Sequence, residues 1–211
     1  MKKNFLSIKN SLPKHVNLLA VSKGFHSSNI IDLHNLGQHD FGESKVQEAL
    51  QKKRELETIN QISWHFIGQI QSNKIRKIVE NFRYIHSVDS YEKLLKIAKI
   101  AVEIKKIPIL MIQVKLADDP SKGGIFFDEL IRRWGDIKRI QGIKVNGLMT
   151  INPKGLSSNE NLKLFKKCRT IADTLELTDC SMGMSNDWEE AVEAGSTWLR
   201  LGSLLFGKRY L

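Results

Sequence analysis

Cysteine and proline are scarce in this chain. Cys168 and Cys180 are the two cysteines among 211 residues. They form no CxxC pair and no zinc-ligand spacing, which excludes a disulfide scaffold and points to a reducing, cytoplasmic compartment. The four prolines, Pro13, Pro108, Pro120 and Pro153, read as boundaries between elements, and no proline-rich linker divides the chain. Long apolar runs are also missing. Stretches such as Ile107 to Ile112 fall far short of the roughly 20 residues that a membrane helix needs, so no membrane partner is expected. No apolar region or cleavage site follows the basic start Met1-Lys2-Lys3-Asn4, so no secretory signal is expected.

What is present is a globular composition. Hydrophobic residues make up 41% and charged residues 27%, which excludes a disordered chain. Lys+Arg number 33 against Asp+Glu 23, for a net charge of +10. Lysine outnumbers arginine 24 to 9 and is scattered. The local clusters Lys52-Lys53-Arg54, Lys74-Ile75-Arg76-Lys77 and Lys166-Lys167 fall on expected helices and read as solvated faces. No RNP-like or zinc-finger pattern accompanies them, so nucleic acid is not the expected partner.

Short apolar runs alternate with amphipathic segments. Strands are expected near 17–22, 39–42, 64–68, 84–88, 109–116, 145–151, 179–182 and 197–201. The helices between them are expected near 27–36, 45–57, 72–81, 90–105, 128–134, 158–175 and 187–194, with the last of the eight helices short or missing. Ser27 or Ser28 and Asp89 or Ser90 are the expected caps, and Gly37 a helix stop. Continuous apolar strands alternating with helices imply a covered parallel sheet. Eight units in this length read as an α/β single-domain (β/α)8 TIM barrel over residues 1–211. A doubly wound open sheet is the second reading.

Barrel logic directs attention to the residue after each strand. Lys23 closes the run Ala20-Val21-Ser22-Lys23. A buried ammonium is costly without a partner. Lys23 is therefore either an amine of lowered pKa suited to a Schiff base, or a lysine that has already reached solvent. Ser181-Met182-Gly183-Met184-Ser185 and Gly202-Ser203, beside Arg200, offer backbone N–H groups and hydroxyls where a phosphate could sit. For each alone, ordinary turn and capping chemistry is an equal explanation. Gly68-Gln69-Ile70-Gln71-Ser72-Asn73-Lys74-Ile75 has the outline of a P-loop. It lacks the second glycine and the magnesium-binding hydroxyl, which excludes nucleotide hydrolysis there. His65 and His86 read as hydrogen-bonded core residues, since the six histidines show no ligand spacing. Glu43 and Asp89 are weak candidates for acid or base.

Taken together these segments resemble the YggS/PROSC family, the pyridoxal phosphate homeostasis proteins. The resemblance rests on Leu19-Ala20-Val21-Ser22-Lys23, Phe41-Gly42-Glu43-Ser44-Lys45-Val46-Gln47-Glu48 and Trp64 through Lys74. It continues in Ser121-Lys122-Gly123-Gly124, Gly147 through Ile151, Ser181 through Asp187 and Arg200 through Arg209. It implies an alanine-racemase-like barrel of PLP fold type III carrying pyridoxal 5'-phosphate (PLP). Lys23 is then the Schiff-base lysine, and Ser185, Gly202 and Ser203 are phosphate ligands. Arg200 is the partner of the pyridine nitrogen, with Ser44 and Met149 near the cofactor.

Three departures stand out. Ser44 replaces the family's usual asparagine. Lys115 stands where asparagine is common. The segment before Leu18 is short, so a helix that covers one barrel end in relatives is expected to be reduced. The resemblance implies PLP holding, buffering or delivery without robust turnover, with PLP-dependent apo-enzymes or a regulatory protein as partners. Racemases of this barrel type add a second domain that supplies an opposing base, and a chain of this length is expected to lack it. The rivals are a small PLP-dependent racemase or lyase, and a nucleic-acid or protein binder suggested by charge alone. A monomer is expected.

Overall fold

The strands follow the apolar runs closely. The computed structural model describes residues 1–119 and 121–207. Pro120 and the Lys208-Arg209 end of the matched motif lie outside the described residues. The strands are β1 (Asn17–Val21), β2 (Asp40–Glu43), β3 (Ser63–Phe66), β4 (Tyr84–Val88), β5 (Ile109–Lys115), β6 (Ile125–Phe126), β7 (Lys144–Met149), β8 (Asp179–Ser181) and β9 (Trp198–Leu201). All pairings are parallel, in the order β4-β3-β2-β1-β9-β8-β7-β5, with β6 a short addition on β5. Tyr84 and Ile85 of β4 also pair with Ile109 and Leu110 of β5. That last pairing joins the two ends of the sheet into a closed eight-stranded barrel and excludes the open sheet.

The helices wrap the outside: α1 (Lys2–Ser11), α2 (Ser27–His34), α3 (Val46–Glu55), α4 (Ile75–Asn81), α5 (Tyr91–Glu103), α6 (Phe127–Ile137), α7 (Ser158–Thr174), α8 (Trp188–Glu193) and α9 (Ser203–Phe206). Their ends follow local chemistry. Ser90, and not Asp89, caps α5 by accepting the Lys93 N–H. Ser157 and Glu160 form a reciprocal capping box on α7. Past α2, the Gly37 and Gln38 N–H groups return to the His34 and Leu33 carbonyls. The cap of α2 is the His26 ring, with Ser27 and Ser28 inside the helix.

The N-terminal segment, where a reduced helix was expected, forms the ten-residue helix α1, with Phe5 and Ile8 buried on one face. Asn4 donates to the Leu204 carbonyl and Lys9 to the Gly37 carbonyl, so α1 ties α9 to the end of α2.

Alternation along the strands separates two apolar clusters. Leu18, Ala20, Leu110, Ile112 and Leu148 join the large layer between barrel and helices. Leu19, Met111, Met149 and Trp198 form a small cluster of their own. Polar side chains are also fully enclosed, among them His65, His86, Ser181 and Arg200. A barrel that encloses so many polar groups must pair each of them or lose stability.

Candidate functional site

The site residues expected from sequence all fall at the C-terminal ends of strands. Lys23 lies two residues beyond β1, Ser44 directly after β2, and Met149 at the last position of β7. Ser185 follows β8, Arg200 lies in β9, and Gly202 and Ser203 follow β9.

Lys23 is partly buried and its chain neighbours are braced. Ser22 is fully buried, and its hydroxyl donates to Glu43 Oε1 at 2.7 Å. Lys52 Nζ donates at 2.7 Å each to the Ser22 carbonyl, Glu43 Oε1 and Glu48 Oε1. Glu48 Oε1 in turn accepts the Gly24 N–H at 2.5 Å. The backbone is thus gripped on both sides of Lys23. Burial pushes the Glu43 carboxyl up despite Lys52. Burial also pushes Glu48 up, but hydrogen bonds from Lys52 and Gly24 outweigh it and leave Glu48 below the usual range. Glu43 is therefore an ion-pair partner, not an exposed acid or base.

This corrects the reading of Lys52 as part of a solvated face. Lys52 is 5% exposed. The i,i+4 spacing of Glu48 and Lys52 on α3 was the available signal. Lys53 also turns inward, to the Asn81 carbonyl.

On the opposite flank, Ser203 Oγ donates to Ser185 Oγ at 3.2 Å, so the turns after β8 and β9 meet. Gly183 has φ +91°, and a Cβ there would stand 2.5 Å from the Ala191 Cβ. Only glycine permits that turn. Asp187 Oδ1 accepts the Met184 N–H at 2.6 Å and holds the loop. Burial pushes this carboxyl up, against the pull of the Met184 N–H and the Arg200 charge.

Arg200 is 4% exposed. Its Nη1 donates to the Ser181 carbonyl at 2.6 Å and to Ser181 Oγ at 2.8 Å. Its Nη2 donates to the Thr150 carbonyl at 2.9 Å. Burial lowers its pKa to about 10, so it stays a cation at neutral pH. Among the described residues no surface carboxylate pairs with Arg200, although such pairing is the ordinary fate of an arginine.

Met149 is buried against Leu19, Met111 and Trp198. A Cβ on Gly68 would collide with the Ser44 carbonyl at 2.0 Å. That glycine therefore serves close packing between the turns after β2 and β3. Lys115 lies over the Phe126 ring at 5.1 Å and faces Asp118 at 3.8 Å.

The profile of the alanine racemase N-terminal domain matches residues 1–210. A pyridoxal phosphate homeostasis protein of Synechocystis is 43% identical over 205 residues, covering 94% of each chain. The chain belongs to the pyridoxal phosphate homeostasis protein family. Within solved structures, PipY of Synechococcus elongatus with PLP bound aligns at TM-score 0.94 and 40% identity, over 97% of this chain and 99% of that one. Alanine racemase of Clostridium difficile aligns at TM-score 0.79 and 16% identity, over 98% of this chain and 56% of the racemase. At that identity the racemase likeness concerns the barrel alone.

Sequence reasoning missed two features of this member: the Glu43–Lys52–Glu48 brace, and the partners of His65 and His86 beneath Arg200. His86 Nδ1 lies 2.8 Å from Ser181 Oγ. The two histidines are hydrogen-bonded core residues, as expected. What they bond to was not legible.

Proposed function

We propose that this chain binds PLP at the C-terminal mouth of the barrel and serves PLP homeostasis by holding, buffering or delivering it. The observation that carries this reading is the pairing of Ser185 and Ser203 hydroxyls at 3.2 Å on the same side of the barrel as a buried, donor-only guanidinium. The residues suit the group. PLP when bound supplies an aldehyde, a ring nitrogen and an anionic phosphate. Ser185, Ser203 and the backbone at Gly202 would hold the phosphate, and a Cβ at Gly202 would press on the Val21 carbonyl at 3.2 Å. Arg200 would donate to the ring nitrogen, with Ser44 and Met149 flanking the ring. Lys23 Nζ, once unprotonated, would displace the aldehyde oxygen as water and become the Schiff-base amine.

Robust turnover is not part of the proposal. A guanidinium can only donate, so the ring nitrogen that meets it stays unprotonated and withdraws electrons weakly. The two enclosed imidazoles are occupied by hydrogen bonds and unable to act as a base on a substrate. The whole chain would act as one monomeric domain in the cytoplasm, where the buried cysteines Cys168 and Cys180 would stay reduced. PLP-dependent apo-enzymes or a regulatory protein would be the recipients. Among the described residues no helix is long and apolar enough to cross a membrane.

The test is spectroscopic. Purified protein with PLP should show a visible absorbance band that borohydride removes, leaving PLP fixed on Lys23. Lys23→Ala should lose the band and keep its fold, whereas PLP fixed on another lysine with the band undiminished would overturn the assignment. Alanine racemisation should be negligible, and enzyme-like rates would remove the non-catalytic part of the reading.

A further inference from the structure

A line of hydrogen bonds crosses the barrel interior beneath Arg200. Asp40 opens β2 and its side chain is 32% exposed. Its Oδ1 lies 3.0 Å from His65 Nε2. His65 Nδ1 lies 2.9 Å from His86 Nε2, and His86 Nδ1 lies 2.8 Å from Ser181 Oγ. Ser181 Oγ accepts from Arg200 Nη1. The line thus runs from the first residue of β2 to the last residue of β8 and the guanidinium of β9.

The carboxylate end sets its direction. An ionised carboxylate has no donor, so His65 must donate to Asp40 from Nε2. A neutral His65 then accepts at Nδ1 from His86 Nε2–H, and His86 Nδ1 accepts the Ser181 hydroxyl hydrogen. Ser181 Oγ keeps its lone pairs for Arg200 Nη1, a donor only. The reverse arrangement would set the bare His65 Nε2 against the Asp40 carboxylate, two acceptors at 3.0 Å. Ser63 Oγ, 3.3 Å from the same nitrogen, does not change this count, because it can accept as well as donate.

Both rings are fully enclosed, which favours the neutral form of each. Burial depresses His65, with Asp40 opposing and the Arg83 charge assisting. Burial depresses His86 well below 6.5, assisted by His65 and Arg200. Tyr84 stacks on His65 at 4.3 Å, and Trp198 packs against His65, His86 and Tyr84. The rings cannot rotate to seek other partners. Donation by each member makes its own acceptor atom stronger, so the line tightens the hold on Arg200.

We propose that Asp40, His65, His86 and Ser181 are positioning residues: a one-way hydrogen-bond line that fixes the orientation and donor role of Arg200 towards its ligand. This rests on the reading that Arg200 faces the PLP ring. The line itself is a property of the chain and is measurable without PLP.

Long-range proton–nitrogen spectra of the histidine side chains are the first experiment. His65 and His86 should both read as neutral Nε2–H tautomers between about pH 7 and 8. An Nδ1–H tautomer or an imidazolium at either position would overturn the line. The second experiment is a PLP titration of Ser181→Ala and Ser181→Thr. Ser181→Ala should give mixed His86 tautomers, a shifted PLP absorbance band and about tenfold weaker binding. Ser181→Thr, which keeps the hydroxyl, should restore all three. Arg200→Lys separates the two ideas. If it shifts the PLP band and Ser181→Ala does not, the positioning role is wrong. If neither shifts the band while the tautomers stand as stated, the placement of Arg200 at the ring is wrong, and the positioning role towards PLP goes with it.

Discussion

Lys52 and Arg200 are both buried cations, but the oxygens that hold them differ in kind. Lys52 faces two carboxylates, Glu43 and Glu48, at 2.7 Å each. Arg200 donates to neutral oxygens only: two carbonyls and one hydroxyl. Among the described residues no carboxylate forms an ion pair with it. The charge of Lys52 is thus spent inside the fold, where it fixes the backbone around Lys23. The charge of Arg200 is oriented but not cancelled, and remains available to an acceptor placed above it. A buried cation with neutral partners costs stability, which a protein retains only where the cation has another task.

Removing each cation in turn breaks this comparison most sharply. Lys52→Met leaves Glu43 fully buried without its counter-charge, and its Oε2 has no hydrogen-bond partner among the described residues to begin with. The loss should be about 3–5 kcal/mol. Arg200→Met strands no carboxylate and should cost less. Urea denaturation of both variants measures the difference, and equal losses would show that the two cations play the same structural part.

A smaller effect sharpens the ligand side. Ser185→Ala should weaken PLP binding by about tenfold to a hundredfold, from a charge-assisted hydrogen bond of about 1.5–3 kcal/mol. Pyridoxal, which has no phosphate, should lose much less. Fluorescence titration with both ligands decides it, since equal weakening would place the serine away from the phosphate.

The smallest expected effect concerns pH. The folded state holds His86 well below its ordinary 6.5, chiefly by burial, whereas the unfolded chain takes up a proton near that value. Stability from this group is complete above pH 6.5 and falls as pH drops below it, by about 1.4 kcal/mol per pH unit. His65, depressed in the same direction, adds to the fall. His86→Gln should remove one proton's share of that slope. Urea midpoints at a few pH values between about 5 and 7 measure it, and an undiminished slope would mean that His86 titrates normally in the fold.

Much of this was legible in advance, for identifiable reasons. Continuous apolar strands such as Asn17–Val21 and Ile109–Lys115 announced a covered parallel sheet. Lys23, Ser185, Gly202 and Ser203 follow strands, where barrel geometry gathers functional groups. Helix α1 was expected from the resemblance alone, because Phe5 and Ile8 give it a narrow apolar face among lysines. Lys52 was misread because a lysine beside Lys53 and Arg54 looks like surface. Its burial depends on Glu43, which lies on another element.

The sequence by itself determined the alternation of strands and helices and the chemical types at each strand end. These are local: backbone sterics, hydrophobic period and capping act within a few residues. The tertiary structure alone decided which of those types meet. His65 and His86 are single polar letters 21 residues apart, and Ser181 lies 95 residues beyond His86. Closure of β4 onto β5 curves the sheet and points these side chains into one enclosed space. There the cost of an unpaired polar atom forces each to find the next, down to the one proton that each ring carries.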